Sequence, residues 1–327
     1  MIRARNLPFA ATVLIFLIAY GLCAMQFPNM LSFRVAGNLL TDNAFLGIAA
    51  VGMTFVILSG GIDLSVGSVI AFTSVFVAVL VRAGVHPALA FALALVVSTG
   101  FGALMGLTIH ALKMPAFVVT LAGMFLARGA AFLISTDSVP ISHDFLKLLK
   151  GIFIRLPDKG RLTFLAILML LAFVVGVILA HRTRFGANVY AIGGSEQSAA
   201  LMGVPLRRTM VQLYAFSGFM AGLSGLAYTL YTSAGYSLAT VGVELDAIAA
   251  VVVGGTLLTG GAGLVLGTLF GVLIQGLIQT YIVFDGTLSS WWTKIVVGLL
   301  LFAFIVLQRL ILMISERRAA IRAAAGG

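Results

Sequence analysis

Ten apolar runs divide the chain, at residues 7–27, 44–59, 66–81, 88–109, 116–135, 162–180, 210–231, 246–258, 264–284 and 291–311. A backbone buried in lipid has no water to bond with, so a run long enough to cross is stable there only as a helix that satisfies itself. The alternating segments of about ten residues that mark an outer-membrane barrel are a different pattern. Of the 327 residues 61% are hydrophobic and 9% are charged, against roughly 45–50% and 25% in soluble domains. That balance excludes a water-soluble globule, a disordered chain and a fibrous one. The expected fold is an all-α membrane protein, a polytopic bundle of about ten transmembrane helices forming a single domain over residues 1–327.

Three runs, at 44–59, 66–81 and 246–258, fall short of the ~20 residues a crossing needs. Each abuts a glycine pair, Gly60-Gly61 or Gly254-Gly255, with Gly260-Gly261 close behind. Broken helices persist at membrane depth only where protein or a water-filled path covers the freed backbone. Such breaks in both halves of a chain point to a weak inverted repeat around a transport path. Small residues four apart (Gly102 and Gly106; Gly218 and Gly222; Gly263, Gly267 and Gly271) predict close helix–helix approach.

The formal charge of +10 comes from 20 Lys and Arg against 10 Asp and Glu. In a membrane protein this balance sets topology rather than recruiting nucleic acid. With both termini in the cytoplasm, the inner segments hold eleven basic residues: Arg3, Arg5, Lys113, Arg182, Arg184, Arg207, Arg208, Arg309, Arg317, Arg318 and Arg322. The outer segments hold seven, five of them in one extracytoplasmic loop, 136–161. The centre of that loop, 145–154, is amphipathic and suits the membrane surface or a docked partner. Residues 31–43 read as a second interfacial piece. The run at 7–27 is expected to be a retained first helix, not a cleaved signal. The one cysteine, Cys23, permits no internal disulfide.

No Gly-Lys pair occurs, so the chain holds no Walker-type phosphate loop. HExxH, CxxC and GxSxG are also missing, and the four histidines are scattered. No catalytic residue, metal site or resident cofactor is expected. Polar residues within the apolar framework are therefore the candidates for a translocation path or gate. Asp63 and Ser65 sit just before the third run, where helix capping is the plainer reading. Arg128 lies inside the fifth run, where a charge needs a partner or water. Glu244 and Asp246 open the eighth run, and Lys294 lies near the start of the tenth. Gln275 and Gln279 are four apart and share a helix face.

The inner segment 181–208 carries the most specific signal. Ser195 before Glu196 and Gln197 starts a helix, and Gly203 with Pro205 stops it. The spacing predicts a two-turn helix over 196–202, too short to stand alone, with a Leu201-Met202 edge suited to a protein socket. Glu196→Pro is expected to abolish transport.

GMTFVILSGGIDLSVGSVIAF (52–72) and RTRFGANVYAIGGSEQSAALMGV (182–204) resemble the permeases of ribose- and galactose-type ABC sugar importers, and the resemblance runs over nearly the whole chain. Within that family GVELDAIAAVVVGGTLLTGGAG (242–263) and TYIVFDGTLSSWWTKI (280–295) are most similar to permeases of galactofuranose importers. The resemblance implies a type II-like importer bundle in the bacterial inner membrane. It implies three partners besides lipid: an ABC ATPase that binds ATP and Mg²⁺, a second permease chain, the pair being expected as a heterodimer, and a periplasmic sugar-binding protein. It places Gly194, Ser195, Glu196, Ala200 and Gly203 in the cytoplasmic ATPase-coupling loop, 181–208. The family often has Asn where this chain has Ser195. The rival reading is an ion-coupled secondary transporter using Asp63, Arg128 and Glu244. Ribose, galactose and branched-chain amino acids are the competing cargoes, and a membrane-embedded enzyme is the remote third option.

Overall fold

The computed structural model describes residues 7–325, so Arg3 and Arg5 lie outside the described residues, as do the side chains of Arg309, Arg317, Arg318 and Arg322. The chain folds as fourteen α-helices with four very short strands among the described residues. The helices are α1 (Leu7–Gln26), α2 (Phe33–Asp42), α3 (Ala44–Leu58), α4 (Val66–Arg82), α5 (Pro87–Ala111), α6 (Ala116–Ile134) and α7 (Asp144–Gly151). There follow α8 (Phe164–Arg182), α9 (Arg184–Gly194), α10 (Glu196–Leu201), α11 (Leu206–Thr232), α12 (Val243–Val253), α13 (Val265–Asp285) and α14 (Trp291–Ala325). Each of the ten apolar runs coincides with one helix. By length and hydropathy six of them (α1, α5, α6, α8, α11 and α13) qualify as crossings, or seven if the bent pair α2–α3 is one span. Helices α3, α4 and α12 are shorter because glycine breaks bound them, Gly60-Gly61 between α3 and α4 and Gly254-Gly255 after α12; α12, at 11 residues, rises only about 17 Å.

The bundle is built around α11, which packs against α5, α3 and α4, while α12 packs against α13, α3 and α14. The α5–α11 crossing is a backbone-on-backbone contact. A β-carbon at Gly102 would fall on the carbonyl oxygen of Tyr214, and one at Gly218 on that of Ser98. Gly267 and Gly271 meet the carbonyls of Gly254 and Ala250 in the same way, which joins α12 to α13. Lipid is as apolar as leucine, so helices associate through such close packing and a few polar bonds rather than through a hydrophobic drive. Those bonds here include Thr54 to Thr268 at 2.8 Å, Thr12 Oγ1 to the Val253 carbonyl at 2.6 Å and Ser224 Oγ to the Phe45 carbonyl at 2.6 Å.

One end of the bundle carries a small cap from the 136–161 loop. The amphipathic segment expected there is helix α7, with Leu146 buried beneath it. The rest of the loop is more ordered than its composition suggests. Strands β2 (Phe153–Arg155) and β3 (Arg161–Thr163) form an antiparallel hairpin, while β1 (Val139–Pro140) pairs with β4 (Ala234–Gly235), so the loop is stitched to the chain after α11. The hairpin turn uses Pro157 and Gly160, with Asp158 and Lys159 in the left-handed region. At the same end α2, the second expected interfacial piece, bends 56° away from α3.

The close crossing yields a direct test. Gly102→Ala places a methyl against a fixed carbonyl, and overpacking of this kind costs about 1–3 kcal/mol. Gly129 lies on α6 with open space beside it, so Gly129→Ala serves as the control. Thermal melting of the purified protein in detergent is expected to fall for Gly102→Ala and to hold for Gly129→Ala.

Candidate functional site

At the end opposite the cap, three glycine pairs converge. Gly60-Gly61 ends α3, Gly193-Gly194 ends α9, and Gly260-Gly261 lies in the loop between α12 and α13. The Gly261 N–H donates to the Leu58 carbonyl at 2.9 Å. A β-carbon at Gly193 would collide with that same carbonyl, and one at Gly260 would come within 2.6 Å of the Gly60 nitrogen. Gly60, Gly260 and Gly261 have φ of 82°, 84° and 75°, a region glycine enters without steric cost. Only residues lacking side chains let three main chains meet at this point. Tyr190 of α9 adds a hydrogen bond to the Gly263 carbonyl at 2.8 Å.

Helix α10 grows directly out of this junction. Ser195 is its N-cap, and its hydroxyl accepts from the Ser198 N–H at 3.2 Å. The helix ends with Gly203 at φ 81°, where the Gly203 N–H bonds to Ala200 and the Val204 N–H to Ala199, both at 3.0 Å. That paired arrangement is a Schellman end. Ala199 is buried against the body, whereas Gly194, Glu196 and Ala200 are exposed. Leu201 and Met202 are 91% and 84% exposed, an apolar tip presented outward. Helix α9 was not legible as a helix in the sequence; its signal is Thr183, whose hydroxyl accepts from the Gly186 N–H at 3.2 Å.

The candidate path residues separate into two groups. Asp63 is 1% exposed. It accepts from the Ser65 N–H at 2.9 Å, the Ser65 hydroxyl at 2.6 Å and the Ser217 hydroxyl at 2.7 Å, tying the α3–α4 break to α11. Ser65 therefore donates to Asp63 and makes no side-chain cap of α4. Arg128 donates to the carbonyls of Ser237 and Ala239 at 2.5 and 2.7 Å, pinning the irregular segment before α12. Glu244 lies in electrostatic reach of Arg128, and its Oε2 is packed over Gly67 without a hydrogen-bond partner among the described residues. Asp63 and Arg128 thus each bond across to a segment distant in the chain, Asp63 to Ser217 and Arg128 to the Ser237 and Ala239 carbonyls.

Asp246, Gln275 and Gln279 instead share a cleft of about 840 Å³ near the capped end, between α2, α11, α12, α13 and α14. Lys294 pairs with Asp246 at 2.6 Å, and Gln275 Nε2 donates to the Asp246 carbonyl at 2.9 Å. Sequence reasoning missed the other wall, which consists of Asn38, Asp42, Tyr228 and Tyr231, with the Tyr231 hydroxyl donating to Asp42 at 3.1 Å. These four residues come from α2 and the last turns of α11, far apart in the chain, so only the folded arrangement gathers them. Carboxylates, amides and aromatic faces around one opening suit a small polyhydroxylated solute. Among the described residues no cluster of three or more His, Cys, Asp or Glu could hold a metal ion.

A polytopic helical bundle with a short docked helix at one end and a polar cleft at the other defines a membrane permease. The family model described as "Branched-chain amino acid transport system / permease component" matches residues 35–305, and the chain belongs to that family. It is 60% identical to the inner membrane ABC transporter permease protein YjfF of Escherichia coli over 96% of this chain and 95% of that one. It is 38% identical to the fructose import permease protein FruG of Bifidobacterium longum (95% and 93% covered). With the ribose import permease protein RbsC of Bacillus subtilis the identity is 40% (83% and 84% covered). No solved structure matches the chain.

The capping geometry corrects the expected effect of one substitution. Glu196 is the first residue of α10, a position where proline is well tolerated. Glu196→Pro is thus expected to preserve the helix. Ala199→Pro removes the N–H that bonds to the Ser195 carbonyl at 2.9 Å, at about 3 kcal/mol. Protease cleavage at 195–204 should rise in Ala199→Pro and stay at the wild-type rate in Glu196→Pro.

Proposed function

We propose that the chain is the transmembrane permease subunit of a binding-protein-dependent ABC importer that carries a monosaccharide into the cytoplasm, with galactofuranose as the foremost cargo. The observation that carries this reading is α10, a capped helix with an exposed apolar tip rooted in the glycine junction. In this role α10 docks into a separate ABC ATPase, which binds ATP and Mg²⁺ and performs the hydrolysis. Closure of the ATPase pushes α10, and Gly193-Gly194 pass the displacement to the breaks after α3 and α12. Because these contacts are main chain on main chain, a shift at one moves the others with little side-chain slack.

The end bearing α10 faces the cytoplasm, and both termini lie on that side, in keeping with the excess of Lys and Arg assigned there. All ten apolar runs then act as crossings, the short ones completed by covered glycine breaks. The meeting of the two breaks at Leu58 and Gly261 supports the inverted-repeat reading. The cleft near the capped end opens to the periplasm, where a sugar-binding protein delivers its cargo. A second permease chain, different from this one, closes the open side of the cleft.

Cargo selection by the receptor explains a cleft with a few polar groups in place of an enclosing sugar site. Galactofuranose is favoured by the likeness of 242–263 and 280–295 to permeases of that type. Ribose and fructose, carried by relatives 40% and 38% identical, are the competing sugars. An ion relay through Asp63, Arg128 and Glu244 is disfavoured because all three are engaged in bonding or packing between helices.

The test is ATP-driven uptake by the complete complex in proteoliposomes, with Leu201→Glu and Met202→Glu combined. Both side chains are exposed, so the fold is expected to survive. Burying two unpaired carboxylates in an apolar socket costs several kcal/mol, and uptake should fall more than tenfold with ATPase binding weakened in parallel. Undiminished uptake, or uptake by this chain alone driven by a pH gradient, would refute the coupling role.

A further inference from the structure

The close crossing of α5 and α11 leaves an open groove of about 870 Å³ along its flank, at the same end of the bundle as α10. Its floor is apolar: Gly100, Ala103, Leu104 and Leu107 of α5 with Val211 of α11. Gly100 contributes no side chain, and a β-carbon there would meet nothing within 4 Å, so the floor is open at that point. The opposite end of the groove is basic, lined by Arg207, Arg208 and His110. Arg207 and Arg208 are exposed, and neither has an ion pair among the described residues, the two present being Lys147–Asp144 and Lys294–Asp246.

The dimensions fit one leaflet. From Gly100 to His110 the helix rises about 15 Å at 1.5 Å per residue, half of a hydrocarbon core about 30 Å thick. An acyl chain laid along the floor from Gly100 would therefore bring its headgroup level with the arginine pair. Guanidinium groups bind phosphate oxygens in a bidentate fork and retain their charge at any physiological pH.

We propose that this groove is a binding site for an anionic phospholipid of the cytoplasmic leaflet, with its phosphate on Arg207 and Arg208 and one acyl chain along α5. The occupant is a lipid and not a free anion, because the apolar floor is continuous with the basic end. It is not the ATPase, because the floor faces outward on a helix long enough to span the membrane. The site lies along the flank of the α5–α11 pair. Its side of the membrane rests on the orientation proposed above, but its headgroup and chain chemistry do not.

Native mass spectrometry of the assembled complex, exchanged between phosphatidylglycerol and phosphatidylcholine, tests the assignment. Each arginine near an anionic headgroup contributes about 1 kcal/mol, so the wild type should prefer phosphatidylglycerol by at least about tenfold. Arg207→Gln with Arg208→Gln should erase that preference. Gly100→Leu, which fills the floor and leaves both arginines intact, should reduce retention of both lipids. Melting in phosphatidylcholine alone should be unchanged for all variants, separating lost lipid from lost fold. Equal retention of both lipids by the wild type, or unaltered phosphatidylglycerol retention in either variant, would overturn the proposal. So would full competition by glycerol phosphate, the mark of an anion site without a chain, or loss of ATPase binding in the arginine variant with lipid retention intact.

Discussion

Three glycine pairs from separate parts of the chain can share one point only because none carries a side chain. That constraint governs the rest of the structure. The break after α3, the end of α9 and the loop after α12 abut main chain to main chain, with the Gly261 N–H bonded to the Leu58 carbonyl. A free N–H or carbonyl in hydrocarbon is costly, so breaks of this kind survive by satisfying one another. Helix α10 extends from the same point, so its exposed apolar tip, Leu201 and Met202, lies one short helix away from the junction.

Around that junction the bundle divides polar work by depth. Asp63, Ser217 and Ser65 form a closed set within the helices, and Arg128 is spent on two carbonyls before α12. Groups bonded across elements in this way fix geometry. The cleft near the capped end is different. Gln279 is exposed, and the Asp246–Lys294 pair and the Tyr231–Asp42 bond lie along an open wall. Groups in that state can exchange partners with a passing hydroxylated solute, which suits transit more than tight retention.

Much of this was legible in the sequence. Each apolar run overlaps a helix because lipid imposes one secondary structure, although α12 is offset from its run and α14 continues well past its own. Ser195 and Gly203 bounded α10 because capping is local chemistry. The glycine spacing at 102, 106, 218 and 222 announced the α5–α11 crossing. What escaped was non-local. No sequence pattern says that Gly60, Gly193 and Gly260 meet, since each is explained by its own turn. The wall of Asn38, Asp42, Tyr228 and Tyr231 comes from two elements far apart in the chain. Helix α9 was hidden by its mixed polarity, and the β2–β3 hairpin by strands of only three residues each. Asp63 and Arg128 stand out in the sequence as intramembrane charges, but which groups they bond, Ser65 and Ser217 for the one and the Ser237 and Ala239 carbonyls for the other, is visible only in the fold.

In the proposed importer, transport depends on mechanical contact between α10 and a separate motor. Site-specific photo-crosslinking from position 201 in the assembled complex, with and without ATP, measures that contact most directly. The expected result is a crosslink to the ATPase subunit in both conditions, with its attachment site shifting when ATP binds. Crosslinks to lipid alone, whatever the nucleotide, would contradict it.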